Sequence, residues 1–507
     1  MKLFNESDLD KIVKEYVRKT TWLIKTSKRR RDLSVEESFQ CSNGFLAFIK
    51  VSKNIYQLPI ICSEEEPVKQ LLEKNLFVKK RSLYCFEAEY STRYISFMNE
   101  VINNSKGRVK FKDYYSIDYE TVSAEPLSFE GSNVVCKHTL SNGVEVVVKG
   151  YRLIREPIIE PLIYEKLFNK NYENMPRIYR VYYYEDNDVR KYLSIITEYV
   201  KGCSLSDWFE NSMMKIFIEK SSKAEYGEKL FRLNIRLGSI IADLHLKLNN
   251  NENDELFGFE DVTDKDIENW IKRIDMRYNY VLNEIKNIVE ENEDKSSGHE
   301  KEILEFFYKQ LDTRGKSIVE YSKGILQKYY LNTLKGRIHQ EPILKRIMIR
   351  DDFDLRIIDF EGESFRSRDE LLMKEPLVRD LATIINSYYT HILNVYNEKH
   401  KSKSLLSNMK KICNQKLSET WIWSIRNAIY LIHGYVGYIV DKGFEEKLLK
   451  FTVDKSVSIK TYYHVLLTPW IVDRALYEAY YKLQTGSFDY IIPIVIVLNP
   501  VFPIVNV

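Results

Sequence analysis

A chain of 507 residues and 60.3 kDa exceeds what a single hydrophobic core organises, so two or three domains are expected. Lys and Arg number 76 against 73 Asp and Glu, a formal +3, which argues against nucleic acid or an anionic membrane surface as a main partner. Six scattered cysteines without a C-x-x-C pair, and eight histidines without a zinc spacing, predict a reduced, cytoplasmic, zinc-free protein.

The chain opens on "MKLFNESDLDKIVKEYVRK", charged throughout, which reads as a surface helix and not as a signal peptide. The basic run "KTSKRRRD" (25–32) reads as a solvated face. Strand-like runs "GFLAFIKV" (44–51) and "NIYQLPIIC" (54–62) follow between polar turns, so residues 1–125 are expected to form an α+β unit of their own. From 126 to 200 the pattern becomes strand, strand, helix, strand, strand. Its first hairpin turns at "SNG", where Asn and Gly tolerate positive φ; "PIIEPLIYEKLFN" (157–169) is the helix, and "RIYRVYYYE" and "KYLSIITEYV" are the closing strands. That is the order of a small nucleotide-covering lobe.

Residues 201–507 are expected to be mostly helical, with helices near 232–248, 265–292, 375–396, 418–441 and 470–484. The apolar C-terminus, interrupted by Pro493, Pro500 and Pro503, is too short and broken for a membrane span and is expected to pack on the last helices.

Within this region "IMI" (347–349) and "LRIID" (355–359) are short apolar strands joined by "RDDFD", which predicts a hairpin bringing Asp359 near the loop that holds His339 and Glu341. Two carboxylates converging there, one for Mg²⁺ and one facing a substrate hydroxyl, suit phosphoryl transfer; an ion-paired turn is the plainer reading. Lys149 ends the strand "VVVK" and Glu160 lies on the following helix, a pairing suited to the phosphates of ATP, or else an exposed salt bridge. The loop "EGSN" (130–133), with Ser132 and Asn133, is a candidate to offer backbone N–H groups to phosphates.

These segments together resemble the maltokinase family, relatives of the aminoglycoside phosphotransferases. The resemblance rests on "YQLPII", "EGSN", "VVVKGYR", "EPIIEPLIYEKL", "ITEYVKG", "RLGSIIADLHLKL", "IIDFEGESFRSRDE" and "PLVRDLATIINSYYTHI", of which "IIDFEGE" followed by "PLVRDLA" is the most specific. It implies an α+β, bilobal protein-kinase-like fold with an N-terminal α+β cap, and transfer of the γ-phosphate of ATP to a saccharide such as maltose. By the same resemblance Lys149 and Glu160 would hold ATP phosphates, the hinge from Glu198 to Val200 the adenine, and Asp359 with Glu361 Mg²⁺. Asp380 would brace the lower lobe, and Tyr477, Glu478 and Tyr481 would belong to the sugar site.

The chain departs from the family pattern His-Gly-Asp-x-His-x-x-Gln/Asn at "HQEPILKR" (339–346). His339 is kept, Glu341 stands for the catalytic Asp, and Arg346 replaces an amide metal ligand. In the segment "ALYEAYYKLQTG", Lys482 and Gly486 replace a Glu and an Arg of the sugar site. Two readings follow. The first is a saccharide kinase using Glu341 as a displaced base; the second is a catalytically impaired relative that binds nucleotide and regulates or partners enzymes of glycogen or trehalose metabolism.

Overall fold

The computed structural model describes residues 4–20, 33–117, 119–129, 131, 133–154, 157–187, 189–219, 223–249, 254–291, 298–350, 353–414, 419–444 and 459–500. The run 25–32, Ser132 and the last seven residues lie outside them. The chain forms two compact units: Met1–Asn169 with Pro176–Val200, and Lys170–Met175 with Lys201–Val507.

In the first unit, helix α1 (Glu6–Lys19) is capped by Asn5, whose side chain accepts from Asp8 N at 2.8 Å, and it buries Leu9, Ile12, Val13, Tyr16 and Val17 along one face. One antiparallel sheet runs β1 (Leu33–Cys41), β2 (Gly44–Val51), β3 (Asn54–Ser63), β5 (Leu83–Glu87), β4 (Val78–Lys80). Helices α2 (Lys69–Glu73) and α3 (Tyr94–Asn104) accompany it. The central strands are buried on both faces, which is why Phe45 to Ile49 and Leu58 to Ile61 are almost wholly apolar. A second sheet runs in spatial order β6 (Val109–Asp113), β11 (Ile178–Asp186), β12 (Val189–Glu198), β9 (Glu145–Tyr151), β8 (Asn133–Leu140), β7 (Thr121–Ser128). Strand β7 crosses residue 125, and β10 (Leu153–Ile154) pairs back onto β3, so the two sheets are interlaced by the chain. Helix α4 (Ile159–Asn169) is inserted between β10 and β11.

The expectation of free thiols throughout needs correction. Register places Cys62 on β3 opposite Cys85 on β5, with Cα atoms 4.1 Å apart, and the two are joined as a disulfide. Scatter along the sequence concealed a cross-strand neighbour. Cys41, Cys136, Cys203 and Cys413 remain thiols.

The second unit is largely helical: α5 (Leu205–Phe217), α6 (Lys223–Asn249), α7 (Asp264–Glu291), α8 (Gly298–Gln310), α9 (Lys316–Tyr329), α10 (Arg368–Leu372), α11 (Val378–Lys399), α12 (Leu405–Asn414), α13 (Glu419–Asp441), α14 (Ile459–Gln484) and α15 (Ile491–Leu498). Two small sheets complete it. One joins β13 (Cys203–Ser204) to β16 (Ile347–Ile349) and β17 (Leu355–Ile357); the other joins β14 (Glu260–Asp261), β15 (Leu334–Gly336) and β18 (Glu375–Pro376). Segment 170–175 belongs here because Asn174 accepts from Ile357 N at 2.8 Å and donates to Leu355 O at 3.0 Å. All of α15 is buried, and no helix among the described residues is long and apolar enough to cross a membrane.

Helices α6 and α13 meet backbone to backbone. A Cβ on Gly434 would lie 1.9 Å from Ile235 O, and one on Gly238 2.1 Å from Leu431 O, so only glycine permits the crossing. Gly434→Ala is therefore expected to destabilise the second unit by about 1–3 kcal/mol, read as a lowered melting transition. An unchanged transition would show that the helices are free to separate.

Candidate active site

In the first unit, Lys149 on β9 and Glu160 on α4 form an ion pair, Nζ to Oε2 2.8 Å, with Glu160 almost wholly buried. Tyr151 donates its hydroxyl to the same carboxylate at 2.9 Å, which fixes the direction in which Glu160 presents its charge. A buried pair of this kind costs desolvation that a surface salt bridge does not, so the bland exposed reading of Lys149 and Glu160 does not hold. The conspicuous Arg152 that follows does something else. Its Nε and Nη2 clasp the Glu87 carboxylate at 2.7 Å each, while Nη1 donates to Gly131 O at 2.8 Å and Asn133 O at 3.4 Å. Arg152 thus ties the "EGSN" loop by its carbonyls. Asn133 opens β8 opposite Tyr151. Glu198 ends β12, where Arg177 N donates to its Oε2 at 3.2 Å, and Tyr199 N donates to Glu145 O at 3.0 Å just before the buried Val200.

The second unit assembles the loop 336–346 from several directions. Asn249, at the end of α6, accepts from Arg337 N at 2.6 Å and donates to Arg337 O at 2.8 Å. The Arg337 side chain is fully buried and donates to the carbonyls of Leu256, Leu371 and Met373 at 2.9, 3.0 and 3.2 Å. Asp380, in the first turn of α11, accepts from His339 N at 2.8 Å and Gln340 N at 2.9 Å, and His245 donates to it from Nε2 at 3.0 Å. One buried carboxylate thereby orders two successive peptides, and Gln340 is held at φ +74°. The His339 ring lies against Phe360, donates from Nε2 to Ile358 O at 3.1 Å and accepts from Glu341 N at 3.4 Å. Both of its nitrogens are thus committed to backbone, and burial, only partly opposed by Asp380, lowers its pKa from the ordinary histidine value.

The hairpin forms as the two short apolar runs predict, with Ile347 opposite Ile357 and Ile349 opposite Leu355. At its end Asp359 adopts φ +66° and turns its carboxylate toward the loop. Arg346 meets it there. Its Nε is 2.8 Å from Asp359 Oδ2 and its Nη1 is 2.6 Å from Glu341 Oε2, with Gly362 O a further acceptor at 3.3 Å. A second guanidinium, Arg474 on α14, holds the other oxygen of Glu341 at 3.0 Å. Burial raises the Glu341 pKa above its ordinary value, while Arg474 and Arg346 pull it down. A carboxylate oxygen of Asp359 and one of Glu361 lie within 4.8 Å of each other, so this pair fits a divalent cation that takes oxygen ligands.

Arg474 also donates to Glu363 Oε1 at 3.0 Å and Glu478 Oε1 at 3.1 Å, and through Glu363 it joins a buried network. Glu363 receives Arg379 at 2.7 Å and Arg366 at 3.0 Å. Asp473 receives Arg277 at 2.7 Å and Arg273 at 3.2 Å, and Glu375 receives Arg273 at 2.8 Å and Arg366 at 2.5 Å. Burial opposes the charge on Glu363, yet Arg379, Arg366, Arg474 and Arg277 hold it well below the ordinary carboxylate range. Arg366 and Arg379 stand within the motif segments quoted above, but the partners of these arginines range from 3 to 200 positions away, and no local pattern indicates that they share one buried cluster.

Of the expected sugar-site residues, Tyr477 is buried, accepts from Phe365 N at 3.4 Å and lies 4.9 Å from the guanidiniums of both Arg277 and Arg474. Tyr481 stands one turn on and is exposed; Phe365, 48% exposed, meets its ring edge-on at 4.9 Å. Phe365 was not anticipated, although its place two residues after Glu363 sets it beside α14. Lys482 is spent on Asp489 at 2.5 Å.

Fold and loop together define a class: an α+β, bilobal protein-kinase-like fold. The chain is similar to solved structures of a glucosamine kinase. One, in crystal form A, has a TM-score of 0.63 at 12% identity and covers 97% of this chain and 98% of that one; another, in complex with glucosamine, ADP and inorganic phosphate, has a TM-score of 0.62 at 11% identity and covers 93% and 94%. At such identity the likeness is one of fold. No family model matches the sequence, and no curated protein matches it.

Proposed function

We propose that the protein is an ATP-dependent phosphotransferase acting on a saccharide hydroxyl. The observation that carries this reading is the meeting of Glu341 and Asp359 on one guanidinium, which brings together the two carboxylates that the chemistry requires. In this reading Lys149, steadied by Glu160, binds ATP phosphates; the backbone from Glu198 to Val200 faces the adenine; and Asp359 with Glu361 holds Mg²⁺. Bound there, the metal neutralises charge on the transferring phosphoryl group. Glu341 orients the acceptor hydroxyl and takes its proton, His339 keeps the Glu341 peptide in place, and Asp380 keeps the loop in register. Tyr481 and Phe365 offer apolar ring faces to a sugar, with Tyr477 and Glu478 behind them. Maltose and glucosamine are the first acceptors to try, the former from the motif resemblance and the latter from the fold neighbours.

The same guanidinium favours a second reading. With both Glu341 oxygens engaged by Arg346 and Arg474, the chain would bind nucleotide and act as a regulator without transfer, a role that suits a partner enzyme of saccharide metabolism. Two measurements separate these. Millimolar Mg²⁺-ATP is expected to raise the melting transition; no shift sinks both readings. Mass spectrometry of a saccharide panel incubated with ATP is expected to reveal a phosphorylated sugar; nucleotide binding with no product leaves the regulator.

A further inference from the structure

Phosphoryl transfer in kinase-like folds is commonly served by two divalent cations, each needing oxygen ligands. Here the space between the two candidate carboxylates is filled by a side chain. Arg346 leaves a short helical turn (Leu344–Arg346), its carbonyl accepts from Ile358 N at 3.0 Å, and its guanidinium folds back onto Glu341, Asp359 and Gly362 O. Those contacts fix the group from both ends. A guanidinium has no lone pair to give a metal, stays charged at any ordinary pH, and repels a cation brought close to it. Next to Asp359, Glu361 supplies a second carboxylate oxygen within 4.8 Å, a spacing that a side-chain shift closes onto one Mg²⁺.

We propose that this site takes a single divalent cation, on the Asp359 and Glu361 side, and that the Arg346 guanidinium is a built-in positive charge standing where a second cation would bind. The inference rests on the proposed binding of nucleotide and metal, and it specifies the stoichiometry of that site. Arg346 would thus be a permanent counter-charge for the phosphates, and the protein would lack the inhibition or activation that a loosely held second ion brings.

The test counts metal directly and needs no turnover. The full-length protein, in excess over the non-hydrolysable analogue AMP-PNP, is titrated with Mn²⁺, and bound ion is measured by the loss of the free-Mn²⁺ paramagnetic resonance signal. Labelled AMP-PNP in equilibrium dialysis reports nucleotide binding in parallel. Wild type is expected to bind about one Mn²⁺ per nucleotide, Arg346→Asn and Arg346→Gln about two, and Arg346→Lys about one. Two amide variants guard against a folding failure in either, and the Lys variant tests charge against shape. Two ions in wild type, or one in both amide variants, overturns the inference while leaving nucleotide binding intact. Absence of AMP-PNP binding is a separate result, and it removes the functional reading together with this one.

Discussion

Replacing Glu363 by Ala is expected to cost the second unit about 3–5 kcal/mol, because it leaves buried guanidiniums without the carboxylate they share. Arg379, Arg366 and Arg474 all lie within 3.0 Å of Glu363, and Arg277 is 3.8 Å away. Removing the acid removes its attraction but not the desolvation of the cations, and their mutual repulsion in a low-dielectric setting is then opposed only by the remaining carboxylates of the network, Glu375, Asp473, Glu341 and Glu478. Calorimetry reads the effect as a lowered transition. A change of less than about 0.5 kcal/mol, typical of a surface position, would mean that water reaches the cluster and screens it. The pH dependence follows from the depressed native pKa. Glu363 contributes its full stabilisation above the ordinary carboxylate value of 4.5 and loses it as pH falls through the lower native value. The gap between wild type and Glu363→Ala is therefore expected to be widest above that pH and to narrow in acid.

Asp359→Asn is expected to lower ATP-dependent sugar phosphate formation by about 10²–10³, the usual scale for removing one electrostatic stabiliser of a developing charge. The substitution keeps shape and hydrogen bonding to Arg346 but withdraws the charge that would hold Mg²⁺. Product measured by mass spectrometry checks it, with labelled-nucleotide dialysis confirming that the variant still binds ATP. An undiminished yield would show that Asp359 holds no metal. Arg474 couples the two predictions, since it bonds Glu341 on one side and Glu363 on the other. Loss of Glu363 is thus expected to disturb Glu341 as well as the core.

Much of this architecture is legible in the sequence because it is local. The apolar run "GFLAFIKV", the "SNG" turn and the short apolar runs "IMI" and "LRI" each encode a strand or hairpin through local apolar content and turn chemistry alone. Other features escape for the opposite reason. Cys62 and Cys85 become neighbours only through strand register, and Arg152 goes to Glu87, 65 positions earlier, although it stands beside a phosphate-binding candidate. Phe365 and Tyr481 form their exposed aromatic pair only because the loop after β17 lies along α14.

The sequence by itself determined the elements, the candidate carboxylates at 341 and 359, the strand lysine with its helix glutamate, and the replacement of an amide by Arg346. Chemistry carried within one turn or one hairpin needs no further information. Tertiary structure decided what those groups do to one another. It aimed Arg346 at both carboxylates, brought Arg474 from α14 to the remaining oxygen of Glu341, and buried Glu363 among arginines from α7, α11 and α14. Charge partners at long separation follow from packing and desolvation, which no local pattern of residues records.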